Sequence, residues 1–576
     1  MVSEVCVERK GADILWDTLV HAGVEVVFGY PGGAILPAYD ALLDSPIRHV
    51  LARHEQGAAH MADGYARASG RLGVAIATSG PGATNLVTGI ANAMLDSSPV
   101  LFITGQVPSW MLGRDAFQEV DMTGITLPIT KHNYLVSEAS ELGHVLEEAI
   151  YVACSGRPGP VLVDITKDAM QQSASFAPGT KPVRLPGYRP DLRALPEEFD
   201  RAVSMIDEAK RPVVLAGRGV LQSGASDDLL AFLEKTQVPA ALTLLGLGCI
   251  PASHPLNLGM MGMHGEAWVN LAIQEADLIV ALGMRFDDRV TGNLAAYARG
   301  ARKIHVEIDP SEINKNVQID VGIVGDIRET LQRLMSRVTA KRRDTWLARI
   351  DDMKGDSAVR DIQSLPDNGR LLAAHVISDL WNATQGKALV ITDVGQHQMW
   401  VAQYYHQETP HRFITSGGLG TMGFGVPAAI GAKIARPDEE VWAVVGDGGF
   451  QMTAAELTTC TQEGLKINIA LINNGCLGMV RQWQEFFYSK RYAATKLVNP
   501  DFVKLAEAHG LAAWRVEQRA DVRAAVERAR LEPGSVLIDF RVEQEDSVYP
   551  MVPAGAGLED MIRRPSPIVE TSQSDW

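Results

Sequence analysis

The chain of 576 residues has few cysteines, no block of basic residues and no long apolar run. Its five cysteines are scattered without a Cys-X-X-Cys pair, which argues against a disulfide framework or a zinc site and fits a reducing compartment. Lys and Arg total 53 against 69 Asp and Glu, so at a net charge of -16 neither nucleic acid nor an anionic membrane is expected as a partner. No apolar run reaches the ~18 residues that a membrane span needs. A helical pattern begins within about ten residues of the start, which leaves no room for a targeting peptide, and we expect a cytoplasmic protein.

Short β-branched runs that alternate with helical patterns make up most of the chain. They are VEVVFGY, GVAIATSG, PVLFITG, PVVLAG, ADLIVALG, KIHVEID, ALVITDVG, VWAVVGDG and INIALINN. Most end in Gly, Asp or Asn, which is typical of the βα units of parallel sheets. A Pro- and Gly-rich stretch over 171–196, expected to be an extended linker, and a charged region over about 337–370 interrupt the alternation. We therefore predict an α/β fold of three doubly wound parallel-sheet domains over residues 1–185, 195–335 and 365–576.

The first and third blocks share one order of strand, Gly-rich turn, helix and strand. The first contains RLGVAIATSGPGATNLVTGIANAMLDSSPVLFITG, and the third contains DEEVWAVVGDGGFQMTAAELTTCTQEGLKINIALINN. A duplicated domain is the economical interpretation. The alternative is that any two strand–helix–strand units share this much pattern.

One acid stands among glycines at the end of a buried-looking strand in the third block. Asp447 precedes Gly448 and Gly449, and Asn474 ends the next strand along the chain. Ligands of parallel sheets gather beyond the carboxyl ends of the strands, where we expect these two oxygen-bearing side chains to meet. They suit a Mg²⁺ ion that carries a diphosphate, since Mg²⁺ readily takes its remaining ligands from phosphate and water. The alternative for Asp447 alone is a cap of the following helix.

The middle block looks like a dinucleotide-binding domain whose glycine motif is incomplete. Gly217 and Gly219 follow the strand PVVLA, but Val-Leu-Gln comes next, so GxGxxG is absent and a nicotinamide cofactor is disfavoured. Asp309 and Asp326 follow later strands, where they are placed to meet a ribose or an adenine.

Longer stretches of the chain resemble one enzyme family. GDGGF followed by INN matches the diphosphate-binding motif of thiamine-diphosphate enzymes. From about Gly11 to Ile562 the chain is similar to the catalytic large subunits of acetohydroxyacid synthases, also called acetolactate synthases. The stretches that carry this resemblance are FGYPGGAILPAYDAL, RHEQGAAHMADGYARASG, TSGPGATNLVTGIANA, DAFQEVD, GMMGMHG, RFDDRVTGN, SGGLGTMGFG, LGMVRQWQ and YPMVPAGAGLEDMI.

The resemblance implies that the first domain binds the pyrimidine of thiamine diphosphate and the third domain its diphosphate with Mg²⁺. Glu55 is then the essential acid that shares a proton with N1′ of the aminopyrimidine, a role that suits a carboxylate shielded from water. Met422 is implied to hold the cofactor in its bent conformation, and the main-chain carbonyl of Cys476 to join Asp447 and Asn474 as a metal ligand. Without the resemblance, Glu55 is a helix cap or a solvated charge and Met422 a core filler. The other implied cofactor contacts are Gly395, Gln396, His397, Gly420, Gly446, Gly448 and Gly449.

In this family the central domain holds FAD, which performs no net redox chemistry in the main reaction. A hydrogen-bonded loop histidine is the alternative for His264, which belongs to the implied set. The implied FAD contacts are Arg157, Gly217, Met263, His264, Gly265, Arg285, Asp309 and Asp326.

The resemblance also assigns residues to the substrates. Arg289 is implied to face the carboxylate of a second 2-keto acid, because a guanidinium binds a carboxylate in bidentate fashion. Trp483 is implied to wall the acceptor pocket. The alternatives are a surface ion pair for Arg289 and a core or interface aromatic for Trp483. Phe117 and Lys167 complete the implied substrate contacts, and the implied catalytic set is Glu55, Gln118 and Met422.

The implied reaction is decarboxylation of pyruvate and transfer of the two-carbon unit to a second 2-keto acid. A second pyruvate gives 2-acetolactate and 2-ketobutyrate gives 2-aceto-2-hydroxybutyrate, precursors of valine, leucine and isoleucine. The family forms homodimers or homotetramers in which the first domain of one subunit and the third of another share a site. Because the chain closes on the polar stretch SPIVETSQSDW with no regulatory domain, we expect a separate small regulatory subunit.

Three alternatives stay open at the level of sequence. A flavin-containing pyruvate oxidase shares the fold, but it is not expected to combine RFDDRVTG with RQWQ. A glyoxylate carboligase has an apolar residue in place of the essential acid, whereas Glu55 is present here. A catalytically inactive binding or regulatory subunit is disfavoured because Glu55, Asp447 and Asn474 occur together.

Overall fold

A computed structural model of the chain describes residues 7–179, 183–190, 194–358, 361 and 369–565. The amino terminus before residue 7, parts of the expected linker and charged region, and the polar stretch over 566–576 lie outside these residues. Within them, three six-stranded parallel sheets are each flanked by helices, which confirms the expected α/β fold. None of the described helices combines the length and apolarity needed to cross a bilayer.

The first sheet has its strands within residues 26–166. The strands of this block are β1 (Val7–Lys10), β2 (Val26–Gly29), β3 (Arg48–Leu51), β4 (Gly73–Ala77), β5 (Val100–Gln106), β6 (His132–Val136), β7 (Val161–Thr166) and β8 (Ser173–Phe176). Its helices are α1 (Gly11–His21), α2 (Leu36–Ala41), α3 (Glu55–Ser69), α4 (Pro81–Thr84), α5 (Val87–Asp96), α6 (Met122–Thr126), α7 (Ala139–Cys154) and α8 (Lys167–Gln171). The strand order in the sheet is β3-β2-β4-β5-β7-β6.

The strands β1 and β8 form a separate antiparallel pair. The expectation of a linker throughout 171–196 is therefore wrong at its start. The reason is a tertiary contact that local sequence patterns do not predict. Phe176 packs against α7 at Gly143, where a Cβ would overlap the phenyl ring.

The central sheet has the strand order of dinucleotide-binding domains. Its strands are β9 (Pro212–Ala216), β10 (Ala240–Leu242), β11 (Asn257–Met260), β12 (Leu278–Leu282), β13 (Arg302–Glu307) and β14 (Val321–Val324). Its helices are α9 (Pro196–Glu208), α10 (Arg218–Gln222), α11 (Ser226–Thr236), α12 (Ala267–Glu275), α13 (Asp288–Thr291), α14 (Ile327–Met335) and α15 (Asp344–Ala358). The order β11-β10-β9-β12-β13-β14 reverses between β9 and β12, and such a reversal opens a crevice for a ligand at the carboxyl ends of the strands.

Helix α15 lies in the charged region that was expected to interrupt the βα alternation. Trp346, Ile350 and Met353 are buried at helical spacing in one apolar cluster of the central block. The indole nitrogen of Trp346 donates to the carbonyl of Pro212, 3.1 Å away, at the start of β9. Part of this region therefore packs on the central sheet, and the many charges of the helix conceal its apolar face in the sequence.

The third sheet repeats the order of the first. Its strands are β15 (Leu389–Thr392), β16 (Phe413–Ile414), β17 (Val441–Gly446), β18 (Asn468–Asn473), β19 (Ala512–Val516) and β20 (Val536–Arg541). Its helices are α16 (Ala373–Thr384), α17 (Gln396–Tyr404), α18 (Gly425–Ala435), α19 (Asp447–Thr453), α20 (Leu457–Gln462), α21 (Gly478–Phe487), α22 (Phe502–Ala508) and α23 (Arg519–Leu531). The order β16-β15-β17-β18-β20-β19 matches the first sheet strand for strand, which confirms the similarity of the two blocks.

Helices α3 and α18 join the first and third blocks at a close crossing. A Cβ on Gly64 would overlap the main-chain oxygen of Ala428, and a Cβ on Gly431 would overlap that of Met61. Both glycines are buried in these helices. The two backbones touch because each helix has a glycine where the other passes.

We predict that Gly64→Ala weakens the docking of the two blocks. The added methyl meets main chain, which cannot rotate away, so the cost is expected to be about 1–3 kcal/mol or more. Each kcal/mol corresponds to a loss of roughly 2–4 °C in the midpoint of thermal unfolding. Gly534→Ala is the control, because a Cβ there meets no atom within 4 Å. Equal midpoints for the two variants would contradict the crossing.

Candidate active site

The acid predicted at the end of β17 lies against the turn that follows β18. Asp447 is 2% exposed, and its Oδ2 accepts from the main-chain nitrogen of Gly475 at 2.9 Å. The amide of Asn499 donates to the same oxygen at 2.6 Å, and Oδ1 accepts from Gly448 at 3.1 Å. Helix α19 has Gly446 as its N-cap, so Asp447 is not a simple cap. Burial raises the pKa of Asp447 to about 6.

The turn after β18 presents oxygen atoms near this acid. Asn474 accepts through Oδ1 from the nitrogen of Cys476 at 3.1 Å and donates to Gln396 Oε1 at 3.4 Å. Gln396 in turn donates to Gln482 at 2.9 Å. Burial raises the pKa of the Cys476 thiol to about 11.

His397 leaves one ring nitrogen unpaired beside the same strand ends. The ring is 5% exposed, and its Nε2 has no hydrogen-bond partner in the part of the chain that the structure describes. A Cβ on Gly446 would lie 2.9 Å from the His397 ring, so the glycine leaves room for the imidazole. Burial lowers the pKa of His397 to about 3 and keeps the ring neutral. A buried ring nitrogen without a partner at this edge fits a site that a polar ligand completes.

A second buried acid, Asp393, was missed by the sequence analysis. It follows β15, is fully buried, and accepts from the main-chain nitrogens of Val394 at 2.7 Å, Gly423 at 2.9 Å and Gly425 at 3.3 Å. These bonds fix the loop that carries Met422. The available signal was its position, since Asp393 ends its strand as Asp447 ends β17. Burial raises the pKa of Asp393 to about 6.

A cavity of about 730 Å³ lies between the central and third blocks, and part of the first block, including Arg157, also lines it. It brings together many of the predicted residues. Those that line it are Arg157, Met263, His264, Arg285, Arg289, Asp326, Gly395, Gly420, Met422 and Trp483. Gly217, Gly265 and Asp309, by contrast, are near neighbours of this lining without being part of it.

Three lining residues show features of their alternatives. Arg289 is 59% exposed and pairs with Asp288 at 3.1 Å, as a surface ion pair does, yet it stands at the edge of the cavity. His264 is a loop histidine whose Nδ1 lies 3.2 Å from the carbonyl of Pro550, and burial lowers its pKa to about 4. Trp483 is half-buried against Phe487, with ring centroids 5.3 Å apart. The roles of Arg289, His264 and Trp483 therefore stay predictions.

At the crevice of the central sheet, predicted residues pair with one another. Arg157 donates to Asp309 at 3.2 Å and to Glu312 at 2.9 Å. Asp326 caps α14 by accepting from the nitrogen of Glu329 at 3.0 Å. Gly217 follows β9, and a Cβ there would overlap the main-chain oxygen of Gly283 after β12. The two glycines mark where the strand order reverses.

The first block holds Glu55 and its predicted substrate residues away from this cavity, although its Arg157 lines it. Glu55 accepts through Oε2 from Asn85 at 2.9 Å, and a Cβ on Gly82 would stand 3.2 Å from Oε1. Gln118 has a φ of 59° and lies close to Gly80. None of Glu55, Phe117, Gln118 and Lys167 lines the cavity between the central and third blocks.

Comparison with known proteins agrees with this geometry. The family models that match are the N-terminal TPP binding domain of thiamine pyrophosphate enzymes over residues 9–125, the central domain over 199–334, and the C-terminal TPP binding domain over 393–540. The acetolactate synthase large subunit of Corynebacterium glutamicum is 50% identical over 566 residues, covering 96% of this chain and 90% of that protein. A probable acetolactate synthase large subunit of Methanocaldococcus jannaschii is 44% identical, with 98% of each chain covered. The acetolactate synthase large subunit of Lactococcus lactis is 45% identical, with 96% of each covered.

Three domain matches in sequence and near full-length similarity to these enzymes confirm the resemblance carried by GDGGF, SGGLGTMGFG and LGMVRQWQ. The chain belongs to the acetolactate synthase large subunits, a family of thiamine-diphosphate enzymes.

Proposed function

We propose that this enzyme decarboxylates pyruvate and transfers the two-carbon unit to pyruvate or 2-ketobutyrate, as a step of branched-chain amino-acid biosynthesis. The observation that carries the proposal is the single cavity that Met422, Arg289 and Trp483 line together. In this cavity Met422, which is proposed to contact the cofactor, lies with a cationic side chain, Arg289, and an aromatic one, Trp483, that suit a 2-keto acid. The proposed domains are 1–185 for the pyrimidine, 195–335 for FAD and 365–576 for diphosphate and Mg²⁺.

A Mg²⁺ ion is proposed at the end of β17, held by Asp447, Asn474 and the carbonyl of Cys476. The described residues hold no cluster of three His, Cys, Asp or Glu side chains suited to a metal. An ion with one carboxylate, one amide and one main-chain oxygen fits here because Mg²⁺ draws its other ligands from phosphate and water. His397, through its unpaired Nε2, and the glycines at 446, 448 and 449 are proposed to receive the diphosphate.

Thiamine diphosphate, when bound, supplies a thiazolium that accepts the electron pair left by the departing carbon dioxide. The chain's part is to hold a proton at N1′ through Glu55 and to support the bent cofactor through Met422. The methyl end of Met422 would stand 3.4 Å from a Cβ on Gly448, so the side chain lies beside the proposed diphosphate site. Asp393 acts indirectly, because its bonds to Gly423 and Gly425 fix the loop beneath Met422.

FAD is proposed in the crevice of the central domain. The support is the reversal of strand order between β9 and β12, the glycine contact at Gly217, and the cavity that Arg157, Arg285 and Asp326 line. The proposed contacts at Met263, His264, Gly265 and Asp309 border the same crevice.

A homodimer with shared sites is proposed because the first domain presents Glu55 away from the cavity. Exposed apolar side chains occur in both domains. In the first domain they include Tyr30, Leu36, Trp110 and Phe117, and in the third domain they include Met452, Tyr488, Tyr492 and Val498. Such apolar exposure is typical of surfaces that a partner covers. A tetramer of two such dimers and a separate small regulatory subunit are consistent with relatives that are named large subunits.

We expect purified protein supplied with thiamine diphosphate, Mg²⁺, FAD and pyruvate to form acetolactate. The cationic wall at Arg289 and the aromatic wall at Trp483 together favour carboligation with a second 2-keto acid over oxidation. Product analysis by chromatography distinguishes acetolactate from acetyl phosphate and acetaldehyde. Acetyl phosphate as the main product would instead support a pyruvate oxidase, and no product would support an inactive subunit.

Glu55→Gln is expected to lower turnover by about 10²–10⁴-fold, the usual loss of an acid–base group. Glutamine keeps the size and one acceptor but cannot share the proton, so cofactor binding is expected to persist. Asp447→Ala is expected to do the reverse and weaken Mg²⁺ and cofactor binding first. Steady-state kinetics and calorimetric titration separate the two effects. The control is Glu141→Gln, an exposed acid in the first turn of α7, and near-normal turnover in Glu55→Gln would remove Glu55 from the mechanism.

Trp483→Leu is expected to shift the product of mixed acceptors toward acetolactate. An indole wall can pack on the extra methylene of 2-ketobutyrate and supply roughly 1–3 kcal/mol, or about 10–200-fold. Pyruvate gains nothing from that contact, so its self-condensation survives. The product ratio at equal acceptor concentrations is the measurement, with Trp514→Leu as control because Trp514 packs under Arg528 outside the cavity. An unchanged ratio in Trp483→Leu would reduce Trp483 to a packing residue.

A further inference from the structure

Glu456 is a buried acid of the third domain that reaches into the first. It ends the short 3-10 turn Ala454–Glu456 between α19 and α20, and only 1% of it is exposed. Its carboxylate accepts from the main-chain nitrogen of Arg53, with N–O distances of 3.0 and 3.1 Å, and from that of His54 at 3.0 Å. The hydroxyl of Thr459 donates to Oε2 at 2.7 Å. All of these partners are hydrogen-bond donors, so the site stabilises the two acceptor oxygens of a carboxylate.

The first domain leaves room for this carboxylate through a glycine. A Cβ on Gly57 would overlap Glu456 Oε1. Gly57 lies in the first turn of α3, where an alanine would otherwise suit the helix better by about 1 kcal/mol. Burying a carboxylate is costly unless it is hydrogen-bonded, and burial is the main cause that raises the pKa of Glu456. A glycine within a helix and a buried carboxylate are both unfavourable, and both are needed for the contact between Glu456 and the first domain.

That contact falls on the residues that lead into α3. Arg53 and His54 directly precede Glu55, which is the first residue of the helix. Glu456 thus fixes the main chain on one side of Glu55, while Asn85 holds its carboxylate at 2.9 Å on the other. Main chain and side chain are held from two different domains.

We propose that Glu456 is a positioning residue for Glu55 that holds the main chain of Arg53 and His54 in register with the cofactor. The inference rests on the proposed role of Glu55 as the acid that shares a proton with N1′. A displacement of about 1 Å in a reacting group can cost ~10²-fold in rate. The hydrogen bonds of Glu456 go to Arg53, His54 and Thr459, so its role is to act through the segment that it anchors.

The test compares Glu456→Ala and Glu456→Gln with Glu463→Ala. Glu463 belongs to the same third-domain segment and also reaches the first domain, pairing with Arg48 at 2.6 Å, but it does not touch residues 53–57. Three measurements are made on each variant: thiamine-diphosphate affinity, the rate of hydrogen–deuterium exchange at C2 of the bound cofactor, and amide exchange of residues 53–57 in the cofactor-free protein.

We expect Glu456→Ala to slow exchange at C2 by about 10²-fold while the affinity for thiamine diphosphate stays within about threefold of wild type. Amide exchange of residues 53–57 is expected to speed up in this variant and not in Glu463→Ala. Glu456→Gln keeps one acceptor oxygen, so its loss is expected to be smaller. Gly57→Ala is expected to slow exchange at C2 as well, because its methyl displaces the carboxylate without removing any polar group.

Glu55→Gln, measured in parallel, separates this inference from the proposed function. If Glu55→Gln exchanges C2 hydrogen at the normal rate, the role of Glu55 and the role of Glu456 both fail. If Glu55→Gln is slow while Glu456→Ala is normal, only the positioning role of Glu456 is overturned. Faster amide exchange in Glu456→Ala with normal exchange at C2 makes Glu456 purely structural and also overturns the proposal.

Discussion

The crossing of α3 and α18 is close enough that the backbone of each helix touches the glycine of the other. Gly64 meets Ala428 and Gly431 meets Met61, so neither helix can slide or rotate without a main-chain clash. Because α3 begins at Glu55 and α18 follows the loop of Met422, this contact fixes how the first domain stands on the third. Packed interiors resist such shifts at the scale of a methyl group, which makes the crossing a rigid reference for both surfaces of the site.

Buried acids at the ends of strands are the second constraint. Asp393 and Asp447 follow neighbouring strands β15 and β17, and main-chain nitrogens donate to each, joined at Asp447 by the side-chain amide of Asn499. Burial removes water from each carboxylate, and the hydrogen bonds compensate for only part of the lost solvation. The pKa of Asp393 and that of Asp447 are therefore raised to about 6. Asp393 accepts from the adjacent Val394 and from Gly423 and Gly425 in the loop of Met422, so it fixes that loop to the end of β15.

The strands could be predicted well because a buried parallel strand appears in the sequence as one continuous apolar run. It also predicted that Asp447 and Asn474 would be near one another, since strand ends meet at one edge of a parallel sheet. β8 and α15 were not anticipated, because their apolar contacts, at Gly143 and in the central cluster, depend on tertiary packing. Asn499 and Glu456 were missed for a similar reason. Each acts on a residue far away along the chain, and no local spacing encodes such a contact.

The division of predicted residues between two surfaces follows from the same geometry. Arg289 and Trp483 come from the central and third domains and line one cavity, whereas Glu55 is held by Asn85 and Glu456 on another face. The proposed site needs both surfaces, and in the proposed homodimer a second copy of the chain would complete it. Glu456 follows Asp447, the first residue of α19, closely in the sequence. Its hydrogen bonds go to Arg53 and His54, which directly precede Glu55. In such a dimer each chain would connect the metal end of one site to the proton-sharing acid of the other through a short run of packed residues.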